Sequence, residues 1–546
     1  MTSLPKFIVL IAFTTNIFSM LHASAFLARS RGFTASELVF NSRCLSHQIA
    51  DGSLEKVFKC STYWERLGSP KCVMAPMVAQ SDLPFRRLCR AYGAELCFTQ
   101  MIHSFNLVKS KSFLDAQLDV YRIGEKITLS PSGINALAGI DFSQEKNIPL
   151  NSLPHPHIAI SEANASKLRW SCYQEGDVMQ ENPLIVQLAG YDPGHVTKAS
   201  MIILERTGDI IDGLYSGPVS GIDINCGCPQ AIARKGRYGA FLMEESLDTV
   251  CDIVSALRRD IPRNVGISVK MRIPENVGGS EGDKILKERV CKLIDAGIDL
   301  LTVHGRTISE NKTKVKECNW DAISRVVDIA KVHSGDCNFP IIANGGIEYS
   351  SDIQKCLEYT GASAVMSSEA LLENPGLFSI EGKDDRDLSP EEMFQRQLKY
   401  SHEYLDFCTL YPPVPGSLGI KGGSFSCIRS HLFKLMYRYL EEQPDLRTKM
   451  SDLLGLTSIQ NARNLLDEIE ERYANLDWNS KTFKNAKETS WYRRHRDAKQ
   501  SLRMRTRGQK AKSELSGLSV VEKKLVIQRR IQKLKESRPM TKLRAM

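Results

Sequence analysis

Eight short runs of apolar and β-branched residues recur along the middle of the chain, and helix-patterned segments separate them. The runs cover residues 72–77, 96–100, 184–189, 221–227, 267–273, 300–307, 340–347 and 364–370. They lack a strict alternation of apolar and polar residues, as expected of parallel strands that are covered on both faces. Eight strands alternating with helices predict an α/β fold of the (β/α)8 TIM-barrel type.

A doubly wound open sheet is the alternative fold for alternating strands and helices. Such a sheet usually carries a G-x-G-x-x-G turn after an early strand, where the backbone approaches a dinucleotide. The sequence has no such turn in that place. The barrel is therefore the favoured prediction.

Changes in pattern divide the chain into four predicted regions. A presequence covers residues 1–43, and the barrel covers 65–385 with a surface insertion at about 105–182, which is too long for an ordinary connection. A helical domain covers 386–480, and a basic tail covers 481–546. The helical domain is predicted from amphipathic spacing of apolar residues: Met393, Leu398, Tyr404, Leu405, Leu432, Leu435, Met436 and Leu440.

The net charge of +9 is concentrated at the C-terminal end of the chain. Residues 481–546 hold 21 Lys and Arg against 5 Asp and Glu, whereas the preceding residues hold 51 basic and 58 acidic ones. A local excess of this size indicates a polyanionic partner such as nucleic acid or a membrane surface, although a solvated tail without a partner is the alternative.

The N-terminus combines two targeting patterns. An apolar stretch at residues 7–21 is followed by Ala23-Ser24-Ala25, as in a signal peptide, and residues 27–43 contain Arg29, Arg31 and hydroxyl residues with a single acid, Glu37, as in a transit peptide. The two together resemble the bipartite presequence of algae with secondary plastids and predict plastid import. A buried N-terminal helix, a secretory signal or a cytoplasmic protein are the alternatives. Beyond this region no apolar run reaches transmembrane length.

The 15 cysteines are scattered without a C-x-x-C pair or a Cys/His array. This pattern argues against a zinc site, an Fe–S cluster or a disulfide scaffold, so we expect reduced thiols and no metal.

Polar residues follow the predicted strands at their C-terminal ends, where active sites of TIM barrels lie. These residues are Gln187, Asn225, Gly227, Cys228, Lys270, Arg272, His304, Arg306, Asn344, Gly345 and Gly346. Because the strands of a barrel end at one rim, the side chains are predicted to share one mouth. Taken singly, a Gln or His at a strand end is more often a structural residue.

Lys270 and the Gly345-Gly346 pair indicate an anionic ligand in that mouth. A lysine among apolar neighbours needs an anion or polar ligand to offset its burial. Two glycines after a strand leave backbone N–H groups open to surround a phosphate, and barrel phosphate sites commonly lie at strands seven and eight. As a bare pair, the glycines fit a tight turn equally well.

Several motifs occur in the order and spacing of one enzyme family. They are Ala75-Pro76-Met77, Asn225-x-Gly227-Cys228-Pro229, V-K-M-R at 269–272, V-H-G-R-T at 303–307 and A-N-G-G-I at 343–347. Over residues 72–378 the chain resembles the tRNA-dihydrouridine synthase family. The strings D-I-N-C-G-C-P-Q at 223–230, Y-G-A-F-L at 238–242 and R-S-H-L-F-K-L at 429–435 resemble the eukaryotic branch that acts on tRNA positions 16 and 17.

Three features depart from the family pattern. Cys226 stands where Leu or a similar residue is usual, the insertion before Pro183 is long, and Ser367-Ser368-Glu369 replaces the Gly-Arg of the bacterial members. These departures bear more on which uridine is modified than on the type of reaction.

The resemblance implies an FMN enzyme that takes electrons from NADPH and reduces the C5–C6 bond of uridine in tRNA. Hydride would go to C6, and Cys228 would give a proton to C5, a role that suits a thiol with a reference pKa near 8.5. Cys226 is interpreted as packing. The implied flavin contacts are Ala75, Pro76 and Met77 on the first strand; Gln187, Asn225, Lys270 and His304 around the ring; and Asn344, Gly345, Gly346, Ser367, Ser368 and Glu369 around the phosphate.

tRNA is the implied partner, and we expect a monomer. The residues assigned to tRNA are Arg272, Arg306, Arg429, His431 and Lys434, the last three on a helix of the helical domain, where a solvated face is equally plausible. Arginines of the tail, with Trp491 and Tyr492 among them, would add sequence-independent affinity.

Two other functions remain open from the sequence. One is an FMN-dependent reductase of a free pyrimidine or an enone, which leaves the basic tail unexplained. The other is a catalytically silent tRNA-binding protein, which leaves the retention of Cys228 and Lys270 unexplained.

Overall fold

A computed structural model describes residues 62–120, 181–311, 314–379, 384–411, 424–452, 458–474 and 489–495, with a few isolated positions besides. The predicted presequence, most of the insertion and most of the basic tail lie outside the described residues. Residues up to Arg66 form one unit, of which helix α1 (Tyr63–Arg66) is described. Residues from Leu67 onwards form a second unit, which holds the barrel and the helical domain.

The strands of the second unit are short, and those of its main sheet are almost wholly buried. They are β1 (Cys72–Met74), β2 (Leu96–Phe98), β3 (Ile102–His103), β4 (Leu184–Ala189), β5 (Asp209–Ile211), β6 (Leu214–Ser216), β7 (Val219–Cys226), β8 (Gly266–Arg272), β9 (Leu300–His304), β10 (Ile341–Asn344) and β11 (Ala364–Ser367).

Eight of these strands close into a barrel in which every neighbouring pair is parallel. The order around the barrel is β1, β2, β4, β7, β8, β9, β10 and β11, which pairs again with β1. The short β3 pairs with β4, and β5 and β6 form an antiparallel hairpin. The prediction of a TIM barrel is confirmed. The doubly wound alternative is wrong because an open sheet has no pairing between its two edge strands.

All eight predicted runs contain a barrel strand, but several strands end earlier than the apolar run does. After β1, the Ala75 N–H still donates to the Ser367 carbonyl, whereas the Met77 N–H donates to the Ser81 hydroxyl at 2.7 Å. The chain therefore leaves the sheet while its residues are still apolar, and composition alone does not mark that point.

Helices separate the barrel strands and cover the outside of the sheet. They are α2 (Leu83–Ala91), α3 (Ser104–Lys109), α4 (Lys111–Gln117), α5 (Pro193–Thr207), α6 (Ala231–Lys235), α7 (Ala240–Glu245), α8 (Leu247–Asp260), α9 (Ser280–Ala296), α10 (Trp320–Ser334), α11 (Ser351–Thr360) and α12 (Glu369–Glu373), with 3-10 turns at Pro375–Phe378 and Asp385–Asp387. Helices α3 and α4 form the beginning of the predicted insertion.

The helical domain begins with a capping box. The Ser389 hydroxyl accepts from the Glu392 N–H, the Glu392 carboxylate accepts from the Ser389 N–H, and Pro390 occupies the first helical position. The helices are α13 (Pro390–Leu410), α14 (Ser424–Leu435), α15 (Tyr437–Glu442), α16 (Pro444–Met450) and α17 (Ile459–Ala474). All eight apolar residues from which the domain was predicted are buried. No helix among the described residues is long and apolar enough to cross a membrane.

One buried arginine holds both described ends of the insertion. Arg86 on α2 is fully buried, and its guanidinium contacts the Asp119 carboxylate at 3.0 Å and the Glu181 carboxylate at 2.9 Å. The two described ends of the predicted insertion therefore lie close together, on either side of Arg86.

Replacing residues 121–180 with a flexible linker of about eight residues, which spans up to about 28 Å, should leave the barrel folded. Closing a shorter loop costs less chain entropy, by roughly 0.6 kcal/mol for each halving of its length, so the free energy of unfolding should not fall. The midpoint of urea unfolding measures this change. An insoluble product, or a markedly lower midpoint, would show that the insertion contributes to the core.

Candidate active site

Asn225 shapes the loop that carries Cys228 at the end of β7. Its side-chain Oδ1 accepts from the N–H of Gly227 at 3.2 Å and of Cys228 at 3.0 Å, an Asx turn that bends the chain as the strand ends. Its Nδ2 donates to Gln187 Oε1 on β4 at 2.8 Å. The motif thus joins two neighbouring strand ends and fixes the position of the cysteine.

Gln187 is oriented in turn by a carboxylate inside the barrel. Gln187 Nε2 donates to Asp223 Oδ2, and the Ser268 hydroxyl donates to Asp223 Oδ1, each at 2.7 Å. Burial raises the pKa of Asp223 to about 6, although these hydrogen bonds and Lys270 oppose the rise. Sequence reasoning missed Asp223 and Ser268. The available signal was their spacing, since each stands two residues before a predicted site residue, Asn225 or Lys270, and so shares its strand face.

The two cysteines of the loop lie in different environments. Cys226 is the last residue of β7 and is fully buried in the core, as its interpretation as packing requires. Cys228 is half-buried and packs beside Ala189, Ala233 and Tyr238. Burial raises the pKa of the Cys228 thiol, while the Gln230 N–H, Arg272 and Lys270 oppose the rise. The thiol therefore stays protonated at neutral pH, as a proton donor must.

Lys270 and Arg272 bring positive charge to the mouth. Burial and the charge of Arg272 lower the pKa of Lys270 to about 8, and burial and Arg306 lower the pKa of Arg272 to about 10. The Arg272 guanidinium donates to two carbonyls, those of Gly227 and Thr307, at 2.9 Å each. Neither residue forms a salt bridge within the described parts of the chain, so an anion in the mouth would stabilise both charged forms.

His304 lies among these cations as a neutral imidazole. Burial, with Arg272, Lys270 and Arg306 nearby, lowers its pKa well below the usual range. Arg306 Nη1 lies 3.2 Å from His304 Nε2, and because a guanidinium only donates, Nε2 accepts and the ring proton is on Nδ1. Arg306 is itself held by the Lys316 carbonyl at 2.7 Å.

Both glycines after β10 require the absence of a side chain. Gly345 and Gly346 have φ values of 102° and 81°, in the region that favours glycine. A Cβ on Gly345 would lie 3.0 Å from the His304 ring, and one on Gly346 would lie 2.8 Å from Trp320 Nε1. The preceding Asn344 donates from Nδ2 to the Met366 carbonyl at 3.0 Å, which ties β10 to β11.

A cavity of about 320 Å³ opens at the rim where β8 to β11 end. Nine of the predicted site residues line it: Arg272, His304, Arg306, Asn344, Gly345, Gly346, Ser367, Ser368 and Glu369. Seven other predicted site residues lie at the rim outside this lining. They are Ala75, Pro76, Met77, Gln187, Asn225, Cys228 and Lys270. The lining also includes residues that were not predicted to contact the cofactor: Pro229, Gln230, Glu310, Asn311, Val315, Ile347, Met366 and Tyr492.

The family model described as dihydrouridine synthase matches residues 73–120 and 160–488. The chain belongs to the dihydrouridine synthase family. This match confirms the family predicted from the motifs. The matched region omits residues 121–159, which fall within the predicted insertion, and it ends just before Thr489.

Relatives of the chain carry names that specify a tRNA position. The chain is 28% identical to the tRNA-dihydrouridine(16/17) synthase of Saccharomyces cerevisiae, over 75% of this chain and 74% of that protein. It is 29% identical to a tRNA-dihydrouridine(16/17) synthase-like protein of Rattus norvegicus, over 74% and 69%. It is 26% identical to the tRNA-dihydrouridine(16/17) synthase of Schizosaccharomyces pombe, over 71% of this chain and 75% of that protein.

The three helical-domain residues assigned to tRNA do not form an exposed basic face in this family member. His431 is fully buried, and its Nε2 lies 2.7 Å from Asp82 Oδ1 on the loop after β1. Lys434 is 7% exposed and donates to Gln80 Oε1 at 2.6 Å. Arg429 donates to the Leu456 carbonyl at 3.0 Å. The contacts of His431 and Lys434 join helix α14 to the barrel, and the burial of His431 corrects the expectation that it reaches a phosphate.

A short segment beyond the family match packs against the barrel rim. Residues 489–495 include a 3-10 turn at Tyr492–His495, and Tyr492 reaches the lining of the cavity. Arg494, which belongs to the predicted basic tail, has a side chain that is 8% exposed and pairs with Glu369 at 3.2 Å. The segment is therefore part of the folded unit. The amino-acid composition did not predict this, because the segment has the same basic composition as the rest of the tail.

Proposed function

We propose that the chain is a tRNA-dihydrouridine synthase that uses FMN and NADPH to reduce the C5–C6 bond of a D-loop uridine, at position 16 or 17. The family match supports dihydrouridine synthesis, and the names of the relatives support the position. The single observation that carries the proposal is the barrel mouth, where a protonated thiol faces a group of cations that lack salt-bridge partners among the described residues.

The residues of the mouth fit FMN. The cavity with its glycine pair offers bare backbone to a phosphate, and the cations suit a ligand with negative charge at both ends. Asn225 and Gln187, whose amides are fixed by hydrogen bonds to each other, to the loop backbone and to Asp223, would lie beside the ring. FMN would supply hydride, obtained from NADPH, for addition at C6 of the uracil ring. Lys270 would stabilise negative charge on the ring through a fixed ammonium.

Cys228 would deliver the proton to C5. Its raised pKa keeps the thiol protonated at neutral pH, while Arg272 and Lys270 stabilise the thiolate that remains. The Asx turn fixes its backbone, and the Ala240 N–H donates to its carbonyl at 3.1 Å. The backbone of the loop is thus fixed around Cys228, and a thiol that is protonated at neutral pH suits an acid rather than a nucleophile.

FMN affinity should depend on pH through Lys270. In the free protein its pKa is about 8, below the ordinary value, and hydrogen-bond acceptors of a bound flavin ring would raise that pKa. Affinity is therefore highest below pH 8 and should fall by up to about tenfold per pH unit above it. Titration of flavin fluorescence between pH 7 and 9.5 measures this dependence.

Two substitutions at Lys270 separate its charge from its size. Lys270→Met should bind FMN more weakly and lose the fall above pH 8, whereas Lys270→Arg should keep its affinity across the range because a guanidinium stays charged. An unchanged pH profile in Lys270→Met would show that another group is responsible.

The tail is proposed to add electrostatic affinity for tRNA. A truncation after His495 keeps the docked segment and removes residues 496–546, which hold 16 basic and 4 acidic residues. The slope of log affinity against log salt should become shallower by about 0.7 to 0.9 for each tRNA phosphate that the tail neutralises in the full-length chain. An unchanged slope in filter binding would mean that the tail does not bind tRNA.

The cofactor part of the proposal is tested by the absorbance of the purified full-length chain. We expect flavin bands, bleaching when NADPH is added without oxygen, and recovery of the bands when tRNA lacking dihydrouridine is then added. Recovery with free uridine or an enone but not with tRNA would favour a small-molecule reductase. A colourless protein that takes up no FMN would favour a silent tRNA-binding protein.

A further inference from the structure

The segment 489–495 is anchored to the barrel rim through Glu373, the last residue of α12. This carboxylate is 3% exposed and accepts from the Ser490 hydroxyl at 2.7 Å and the Tyr492 N–H at 3.2 Å. Arg438 of the helical domain donates to its other oxygen at 2.8 Å. One buried acid thus holds the segment, the rim and the helical domain together.

Aromatic packing fixes the side chain of Arg494 in this segment. Trp491 packs edge-to-face against Tyr437 and Phe433, with ring centroids 5.4 and 6.0 Å apart. The Arg494 guanidinium lies 3.6 Å from the Trp491 ring centroid, within cation–π distance. The guanidinium is therefore held in one place, where its Nη1 donates to Glu369 Oε2 at 3.2 Å.

Glu369 occupies an unfavourable position for an acid. It lines the cavity beside Gly346 and Ser368, at the end that the motifs assign to the flavin phosphate. A free carboxylate there would repel a phosphate, so its negative charge needs compensation.

We propose that Arg494 is a positioning residue for the flavin phosphate: it neutralises Glu369 at the cavity that Tyr492 also lines, so that the site favours FMN over riboflavin. The inference rests on the proposed flavin-dependent function. It assigns a role at the cofactor site to a part of the chain beyond the family match.

The test compares the affinities of full-length variants for FMN and for riboflavin, which lacks the phosphate. Arg494→Met should weaken FMN binding by about tenfold, since Glu369 loses its paired cation and its negative charge at the lining of the cavity opposes an anionic phosphate. Riboflavin binding should change less than threefold. Arg494→Lys keeps the charge and should retain most of the FMN affinity.

A second substitution distinguishes charge compensation from a structural role. Adding Glu369→Gln to Arg494→Met removes the uncompensated carboxylate and should restore FMN affinity to within about threefold of the unsubstituted chain. The neighbouring Arg493→Met is the matched control, because Arg493 pairs with Glu348 at 3.0 Å and is 38% exposed. It should change FMN affinity less than twofold.

The outcomes separate this inference from the function on which it rests. Equal losses of FMN and riboflavin affinity in Arg494→Met, with no recovery in the double variant, would overturn the role of Arg494 in charge compensation. Unchanged FMN affinity in Arg494→Met would overturn it as well. If the unsubstituted chain bound neither flavin, the proposed function would fail, and the inference with it. Tyr492→Ala should also weaken FMN binding, while Tyr492→Phe should not.

Discussion

Replacing Cys228 with alanine is expected to lower the rate of dihydrouridine formation on tRNA by about 10² to 10⁴-fold, the range that a positioned general acid contributes. The half-buried thiol is protonated at neutral pH and has Arg272 and Lys270 as electrostatic neighbours. Reduction of bound flavin by NADPH should change less than threefold, because that step does not use the thiol. Single-turnover kinetics measure the two steps separately.

Cys226→Ala is the matched control for this prediction. Cys226 is fully buried two residues earlier, on the side of β7 that packs in the core. Its loss should lower stability by about 1 kcal/mol and leave the rate of tRNA reduction within about threefold. Equal rate losses in the two variants would assign the effect to the loop and not to the thiol.

Replacing Arg86 with methionine is expected to lower the free energy of unfolding by about 3 to 5 kcal/mol. The guanidinium is fully buried, and its removal leaves the carboxylates of Asp119 and Glu181 without their cation. Burial already raises the pKa of Asp119 against the pull of Arg86, so the variant should also gain stability as the pH falls and that carboxyl becomes protonated. Urea unfolding at pH 5 and pH 8 measures both effects.

A surface ion pair gives the contrast. Lys292 lies 3.0 Å from Asp248, but both side chains are exposed, so Lys292→Met should cost less than about 1 kcal/mol. Neutralising both acids in the Arg86→Met chain, by Asp119→Asn and Glu181→Gln, should recover part of the loss. If Arg86→Met matched Lys292→Met in stability, the buried cluster would not fasten the insertion to the barrel.

The barrel could be predicted from the sequence because parallel strands covered on both faces need continuous apolar runs. Eight such runs alternating with helices are enough to predict the barrel, because few other sheets are built from eight parallel strands. The residues at which the strands end could not be predicted in the same way. Residues 75–77 and 345–347 remain apolar or small after the sheet ends, and the hydrogen bonds that turn the chain there come from Ser81 and from other strands.

The site was predictable where its residues stand on strands. Lys270, Arg272 and His304 follow apolar runs, and the barrel places them at one rim. Asp223 could have been added by the same reasoning, because a carboxylate two residues before Asn225 must share its face.

The contacts of the C-terminal parts of the chain were not predictable in this way. His431 and Lys434 have the spacing of an exposed face, yet the loop after β1 covers them with Asp82 and Gln80. Arg494 has the composition of a solvated tail, yet Trp491 and Glu369 hold it at the rim. Such positions depend on which distant surface a helix packs against, and local periodicity carries no information about that surface.

The central claim is tested most directly by mapping dihydrouridine in tRNA. Purified full-length chain, FMN and NADPH would be incubated with native tRNA from cells that lack dihydrouridine, and the products would be digested and sequenced by mass spectrometry. The account predicts a gain of two mass units at uridine 16 or 17 of the D loop, absent with Cys228→Ala. No dihydrouridine in any tRNA, despite bound flavin and oxidation of NADPH, would contradict it.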